Sequence, residues 1–485
     1  MCSSLGSIGE LLLQSVERYP NKVAVKSKRK QLTYTELLQE IANIQAVLKG
    51  LVRPGDVVAL QLPNSIEYIA AYFATSLLGA TIFPVYWKVA RDEVLTICNY
   101  VGAVVLLTNK VIIQKYKGTD LFCLDVTSIS RKSFTSLHVE PGSLSQPAIL
   151  LQTSGTTSKP KVVALSHENL ISNVIAHCHS LGLTPDDRVL IALPFPFGYC
   201  NTSQLLSHIY LGGTISILPE PFLPNQLIKQ IKEDHITVFT AVPTMLLMLE
   251  KAIRKSYMLE NLRMICFGGG MLPQFTLKKL IERFSRVQFV QTYGQTEAGP
   301  RISSAFLTSN FSVSDVGLPI PGVEIQICSE DGKPVPIEEI GQITVKSPSV
   351  MIGYYKNAEE TARVLKNGWL QTGDIGYLDK DGHLHVTGRL KNVIKTRGIQ
   401  IHPEEIEQFI AERFPVSRVL VKGSSSSLHG EVPVAYLEPQ PEAVIDANAV
   451  IAVCRQYLSP YKVPHEIKLV KNLETTFTGK IRRYI

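Results

Sequence analysis

Five short stretches of the chain carry residue types suited to phosphate and metal oxygens. In LLQTSGTTSKPK (residues 150–161) the hydroxyls of Thr153, Ser154, Thr156 and Thr157 surround Gly155, and Lys159 and Lys161 flank a proline. Hydroxyls, free backbone N–H groups and lysine are the donors that wrap phosphate oxygens, and glycine lets the backbone come close. The same residues also make an ordinary surface turn. The Walker pattern, which needs a second glycine followed at once by Lys and Ser or Thr, is missing, so turn and phosphate loop stay equally open on this stretch alone. Downstream, YGQTEAG (residues 293–299) sets Glu297 on a Gly-flanked loop, and TGD (residues 372–374) follows Trp369. GRLKNVIKTRG (residues 388–398) is basic and Gly-punctuated, and TGKIRR (residues 478–483) lies almost at the end. Singly, each has a plain reading: a loop carboxylate, a turn aspartate, a solvated basic face, a frayed tail.

These groups need a large scaffold, and the chain supplies one. At 485 residues it exceeds a typical domain several-fold, so two or more domains are expected. It is 45% apolar and 19% charged, enough to bury large cores. A net charge of +7 without long Lys/Arg runs implies no nucleic-acid partner. The eight cysteines form no CxxC pair and read as reduced thiols of a cytoplasmic protein. The first residues lack a basic segment, and Glu10 precedes their apolar LLL, so no signal peptide is expected. Residues 68–87 and 189–219 contain no Asp, Glu, Lys or Arg, but glycines and prolines interrupt both, and buried core is the better reading than a membrane span.

Short β-rich runs such as VVAL, TISIL and ITVFTAV alternate with helix-like NQLIKQIKEDH and TLKKLIERF. This is the pattern of an α/β protein with largely parallel, two-side-buried strands. After about Val345, Gly-Asp turns in QTGDIGYLDKDGHLHVTGRLKN suggest a β-meander. PEEIEQFIAERF then opens a helix with Pro403 and acidic residues. The expected organisation is a large N-terminal domain of layered sheets and helices over residues 1–388. A small α+β domain follows over residues 389–485, with a hinge near residues 389–392. GSSSSLHG (residues 423–430) reads as a short loop.

The order and spacing of the motifs resemble the adenylate-forming superfamily of acyl-CoA synthetases, free-standing adenylation domains and luciferases. The resemblance runs from LTYTEL (residues 32–37) and GDVVALQLPNS (residues 55–65) through TSGTTSKPK, YGQTE and TGD to GRLKNVIK, PEEIE and TGKIRR. It implies an ATP-dependent acid–thiol ligase: a carboxylate attacks the α-phosphate of ATP to give acyl-AMP and pyrophosphate, and a thiol then takes the acyl group. The resemblance assigns Thr153, Ser154, Gly155, Thr156, Thr157 and Lys161 to the β- and γ-phosphates and Glu297 to Mg²⁺, and counts Thr296 with Glu297 and Lys480 among the catalytic residues. Asp374 is assigned to the ribose hydroxyls, Arg389 to the nucleotide near the ribose, and Tyr293 and Gly294 to the adenine face. Gly268, Gly269 and Gly270 line the adenine and acyl pocket. Lys480 contacts the carboxylate and α-phosphate, a role that suits a point charge. Lys391 is the hinge, and the region from Lys395 serves the thiol step. CoA and a phosphopantetheinyl carrier protein remain open as acceptors.

Departures from the pattern are few. Ser158 stands where many relatives have glycine, Lys391 where many have aspartate, and the proline that usually opens the terminal motif is missing. Only five residues follow Lys480, so no fused carrier domain is expected. In α-amino-acid adenylation domains an aspartate after an aromatic residue pairs with the substrate ammonium. That pair maps onto Tyr199-Cys200, behind Phe197. Cysteine cannot balance a buried ammonium, which favours an uncharged acyl chain or an aromatic acid. An aminoacyl-AMP ligase loading a peptidyl carrier, an acyl-AMP ligase without thiol transfer and an inactive ATP-binding relative are the alternatives. AHCHS (residues 176–180) reads as a helix-borne core or surface segment rather than a metal site.

Overall fold

The computed structural model describes residues 5–28, 30–129, 137–140, 143–153, 161–253, 259–270, 272–396, 399–426, 430–475, 481 and 483. A nine-stranded sheet has the order Leu318–Pro319, Arg301–Phe306, Gln288–Gly294, Met264–Gly268, Val238–Ala241, Arg188–Ile191, Thr214–Ile217, Val23–Ser27, Lys30–Thr33. From Gln288–Gly294 to Val23–Ser27 the neighbours are parallel. VFTA and TISI are buried at every position, as parallel strands covered on both faces require.

A seven-stranded sheet runs Gly353–Tyr354, Val162–Ser166, Pro147–Gln152, Thr81–Pro84, Val57–Leu60, Ala103–Thr108, Cys123–Asp125. Two helices start on reciprocal side-chain caps. Thr33 with Glu36 and Ser166 with Asn169 each close a reciprocal capping box, for Tyr34–Leu48 and His167–Ser180. The charge-free stretches are core: every residue of helix Ile66–Leu77 except Glu67 is buried. No helix among the described residues is long and apolar enough to cross a membrane.

The meander forms a third, antiparallel sheet in which Trp369–Leu378 pairs with Leu384–Arg389. One core extends through these sheets from Ile8 to Leu384. A separate core that includes Ile394, Ile406, Ile410, Val421, Leu437 and Cys454 lies under a last sheet with helices Pro403–Arg413 and Ala447–Tyr457. The protein is thus α/β with a large N-terminal domain and a smaller α+β C-terminal one. Of the expected loop at residues 423–430, residues 423–426 and 430 are strand, and residues 427–429 lie outside the described residues. Val416–Ser426 runs as strand through Ser426 opposite Gly430–Pro439, because both edges continue the same ladder.

Candidate active site

Pro147–Gln152 and Val162–Ser166 are antiparallel neighbours, so the hydroxyl-rich segment bridges a hairpin. Thr153 closes it, its N–H donating to the Lys161 carbonyl at 3.0 Å. Ser154, Gly155, Thr156 and Thr157 lie outside the described residues, as does Lys480. The Lys161 ammonium pairs with Glu360 and stands 5.2 Å from the centre of the Tyr354 ring. Glu360 also holds Arg363 at 2.8 Å, and its carboxyl is kept below the usual range chiefly by Lys161.

Tyr354 ties this hairpin to the metal candidate. It pairs with Val163 across the sheet, and its hydroxyl donates to Glu297 Oε1 at 2.9 Å. Burial, reinforced by Glu297, raises the Tyr354 pKa, so its hydroxyl keeps its proton and stays a donor. Glu297 lies on the 3₁₀ turn Thr296–Ala298, just past strand Gln288–Gly294. Its backbone carbonyl accepts from Met351 N–H at 2.9 Å. Gly294 is obligatory here, since a Cβ would sit 1.9 Å from the Pro300 carbonyl oxygen as the chain turns back antiparallel.

A second node forms at Asp374, which is 4% exposed and lies within strand Trp369–Leu378 rather than in a free turn. Its Oδ2 accepts from the Tyr293 hydroxyl at 2.7 Å and its Oδ1 pairs with Arg389 Nε at 2.8 Å. The arginine side chain is 49% exposed, so one face of the node remains open to solvent. Desolvation, with the charges of Arg389 and Lys161 nearby, lowers the Lys391 pKa. The structure therefore brings Lys161, Thr296, Glu297, Tyr293, Asp374, Arg389 and Lys391 together. Lys395 is not among them. It lies on strand Ile394–Thr396 of the terminal sheet, its N–H donating to Glu431 Oε2 at 2.8 Å.

The acid-pocket candidates separate on one helical turn. A side chain at Gly198 would lie 3.7 Å from Thr296 Oγ1, so this helix start abuts the Glu297 turn. Phe197 stacks obliquely on Tyr86, centroids 5.6 Å apart. Tyr199 bonds Thr292 Oγ1 at 2.9 Å, and Thr292 Oγ1 donates to the Phe267 carbonyl. Gly268 presses on that strand, where a Cβ would meet the Thr292 carbonyl oxygen at 2.4 Å. Exposed Gly269 and Gly270 follow. Cys200 follows on the same turn. It is 0% exposed and its thiol donates to the Leu193 carbonyl at 3.2 Å, inside the core. A step of one residue turns a helical side chain by about 100°, so Tyr199 and Cys200 point in different directions. His177 and Cys178 of AHCHS are likewise buried in helix His167–Ser180.

Four residues that sequence reasoning missed belong to this region: Tyr354, Glu360, Arg301 and Arg483. Arg483, three residues after Lys480, is held by Glu407 at 2.5 Å and Glu404 at 3.3 Å. Burial pushes the Glu407 carboxyl up to about 7 despite that arginine. Glu404 Oε1 also accepts from Asn392 at 2.8 Å, linking the terminus to the segment beside Lys391.

Comparison with known proteins places these features. The family model of AMP-binding enzymes matches residues 12–355, and that of the AMP-binding enzyme C-terminal domain matches residues 405–480. The chain is 31% identical over 479 residues to a 2-succinylbenzoate–CoA ligase of Bacillus licheniformis, covering 98% of each chain. It is 30% identical over 486 residues to a feruloyl-CoA synthase of an Amycolatopsis species, covering 98% of this chain and 97% of the other. A Bacillus subtilis o-succinylbenzoate CoA synthetase, solved with its acyl-adenylate intermediate, superposes with a TM-score of 0.88 at 29% identity, covering 98% and 96% of the two chains. The chain belongs to the AMP-binding enzymes of the adenylate-forming superfamily. Its family is that of ATP-dependent, AMP-forming CoA ligases.

Proposed function

We propose that this chain, an AMP-forming acid–thiol ligase, activates a carboxylic acid that lacks an α-ammonium group and passes it to CoA. In the first step a carboxylate oxygen attacks the α-phosphorus of ATP, and the bond to pyrophosphate breaks. In the second the CoA sulfur attacks the acyl carbon, AMP leaves with the bonding electrons, and the thiol proton passes to solvent. Both transition states gather negative charge, so placed cations and donors do more than general acids or bases.

The observation that carries this reading is the convergence of Lys161, Glu297 and the Tyr293–Asp374–Arg389 node in one region, where the Arg389 charge also acts on Glu297. Thr153 to Thr157 and Lys161 grip the β- and γ-phosphates, with Lys161 exchanging Glu360 for a phosphate oxygen. Asp374 accepts from the ribose hydroxyls, Arg389 neutralises charge beside it, and the bare backbone of Gly268 to Gly270 faces the base with Tyr293 and Gly294. A hard divalent cation suits the Glu297 carboxylate: Oε1 is oriented by Tyr354, Oε2 has no partner among the described residues, and no cluster of three or more His, Cys, Asp or Glu there could hold a metal without the nucleotide. When bound there, Mg²⁺ supplies charge neutralisation of the phosphates. Residues 389–485 swivel about Lys391, presenting Lys480 to the adenylation step and the Lys395 face to the thiol step. The clasp of Glu404 and Glu407 on Arg483 supports a terminus held firmly enough to aim Lys480.

A pyrophosphate-release screen across fatty, aromatic and amino acids, with CoA added or withheld, tests the proposal. Release with acids that lack an amine, and multiple turnovers only with CoA, are expected. Strong ATP–pyrophosphate exchange with an amino acid such as proline, and none with aliphatic or aromatic acids, overturns it in favour of an aminoacyl-AMP ligase.

A further inference from the structure

Arg301 begins strand Arg301–Phe306, one turn beyond Glu297, and is only 3% exposed. Its partners are all neutral. Nε donates to His177 Nδ1 at 3.4 Å, Nη2 to Ser203 Oγ at 3.3 Å, and the guanidinium lies 5.0 Å from the Tyr199 ring centroid. No Asp or Glu pairs with it among the described residues, and no residue outside that set is acidic. Burial, with the Arg301 charge second, pushes the His177 pKa well down, so that imidazole stays neutral.

A guanidinium cannot shed its proton to escape burial, and a buried charge without a counter-charge is costly. Elsewhere this protein meets that need directly. Arg263 has Asp187 on two prongs at 2.7 and 2.6 Å, and Arg483 has Glu404 and Glu407. The surroundings of Arg301 are also built for polar contact. Ser203 comes from the π-helical turn Asn201–Leu206, a widened form often found at functional sites. The same turn leaves Thr202 Oγ1 and both amide atoms of Gln204 buried without a partner among the described residues. Arg301 sits behind Tyr199, which joins Thr292 and Gly268 in the wall beside the Glu297 turn.

We propose that Arg301 is a specificity-determining residue that pairs with a second carboxylate, carried by the acid substrate at the end away from the reacting carboxyl. This rests on the adenylation reading above and narrows it: the substrate is a dicarboxylic acid whose connecting skeleton lies along Tyr199, rather than an acid with an uncharged tail.

The test compares matched acids on the wild-type enzyme by AMP formation: hexanoic with adipic acid, and 4-phenylbutanoic with its ring-carboxylated analogue. For the skeleton that is accepted, the diacid should exceed the monoacid in kcat/KM by about 30-fold or more, the range for one buried charge pair. Arg301→Met keeps an apolar stem and should remove that preference through KM for the acid. The loss should fall on the diacid by at least ten-fold more than on the matched monoacid, and Arg301→Lys should restore part of the discrimination. Equal or better use of the monoacids by wild type overturns the proposal, and this arm decides alone where a variant fails to fold. Equal loss of both acids in folded Arg301→Met also overturns it, pointing to the scaffold or the reacting carboxyl instead. No pyrophosphate from any acid would refute adenylation itself, whereas release from monoacids alone refutes only the second carboxylate.

Discussion

Replacing Tyr354 with phenylalanine removes the one hydroxyl that orients Glu297 and keeps the ring that Lys161 faces. A hydrogen bond to a charged group contributes about 1.5–3 kcal/mol. Glu297 is only half-buried, so water takes over part of that role, and the lower end applies. About 1.5 kcal/mol corresponds to a roughly ten-fold fall in kcat/KM for Mg·ATP. The fall should appear mainly as a weaker response to Mg²⁺, because the carboxylate loses its fixed direction. Glu297→Gln should impair Mg·ATP use far more severely while leaving the fold intact. Adding Tyr354→Phe to Glu297→Gln should then cost less than about two-fold, a coupling of roughly 1 kcal/mol. Steady-state rates over a Mg²⁺ titration for the wild type, both single variants and the double variant complete the cycle. Equal ten-fold losses in both backgrounds would refute the reasoning, since Tyr354 would then act on something other than Glu297.

Lys480→Ala should abolish most acyl-AMP formation yet still convert supplied acyl-AMP and CoA to thioester, and Lys391→Pro should do the reverse because proline fixes φ at the hinge. Single-turnover assays of each step decide, and equal impairment of both steps by Lys480→Ala removes the swivelling assignment. The pH dependence of stability follows from His167 and His208, both buried, whose pKa values are pushed down to about 4 by burial. The unfolded chain takes up those protons near pH 6.5, so their contribution is full above that pH and is lost as pH falls toward 4. At pH 5 each should cost about 2 kcal/mol, and urea midpoints at pH 7 and pH 5 that coincide would contradict this.

Motifs read in chain order pointed to Lys161, Glu297, Asp374 and Arg389, and the structure gathers them: Lys161 and Arg389 stand at strand ends, Glu297 on a turn, and Asp374 within the strand that pairs with Arg389. Their supporting partners were hidden by distance in the chain. Tyr354 reaches Glu297 across 57 residues and Glu360 reaches Lys161 across 199, and nothing in either local sequence encodes those contacts. Arg301 reads as an ordinary charge at the start of RISSAF, and only its burial without a carboxylate sets it apart. On a helix an uncertainty of one residue changes which side chain faces the cleft, so a pocket position cannot be transferred by counting back from Gly212 and Gly213. The α/β alternation was legible because parallel strands buried on both faces must be continuously apolar. The strand character of residues 423–426 was not, since serines there pair through backbone alone.

The central claim is that one cleft forms an acyl-adenylate and then discharges it onto a thiol. The most direct measurement mixes excess enzyme with ATP labelled in the α-phosphate, Mg²⁺ and an accepted acid, quenches samples in time, and adds CoA to a parallel set. Label should accumulate as acyl-AMP without CoA, and CoA should convert it to AMP with one thioester formed per AMP. Labelled ADP in place of AMP, or AMP that appears with no acyl-AMP before it, would contradict the account.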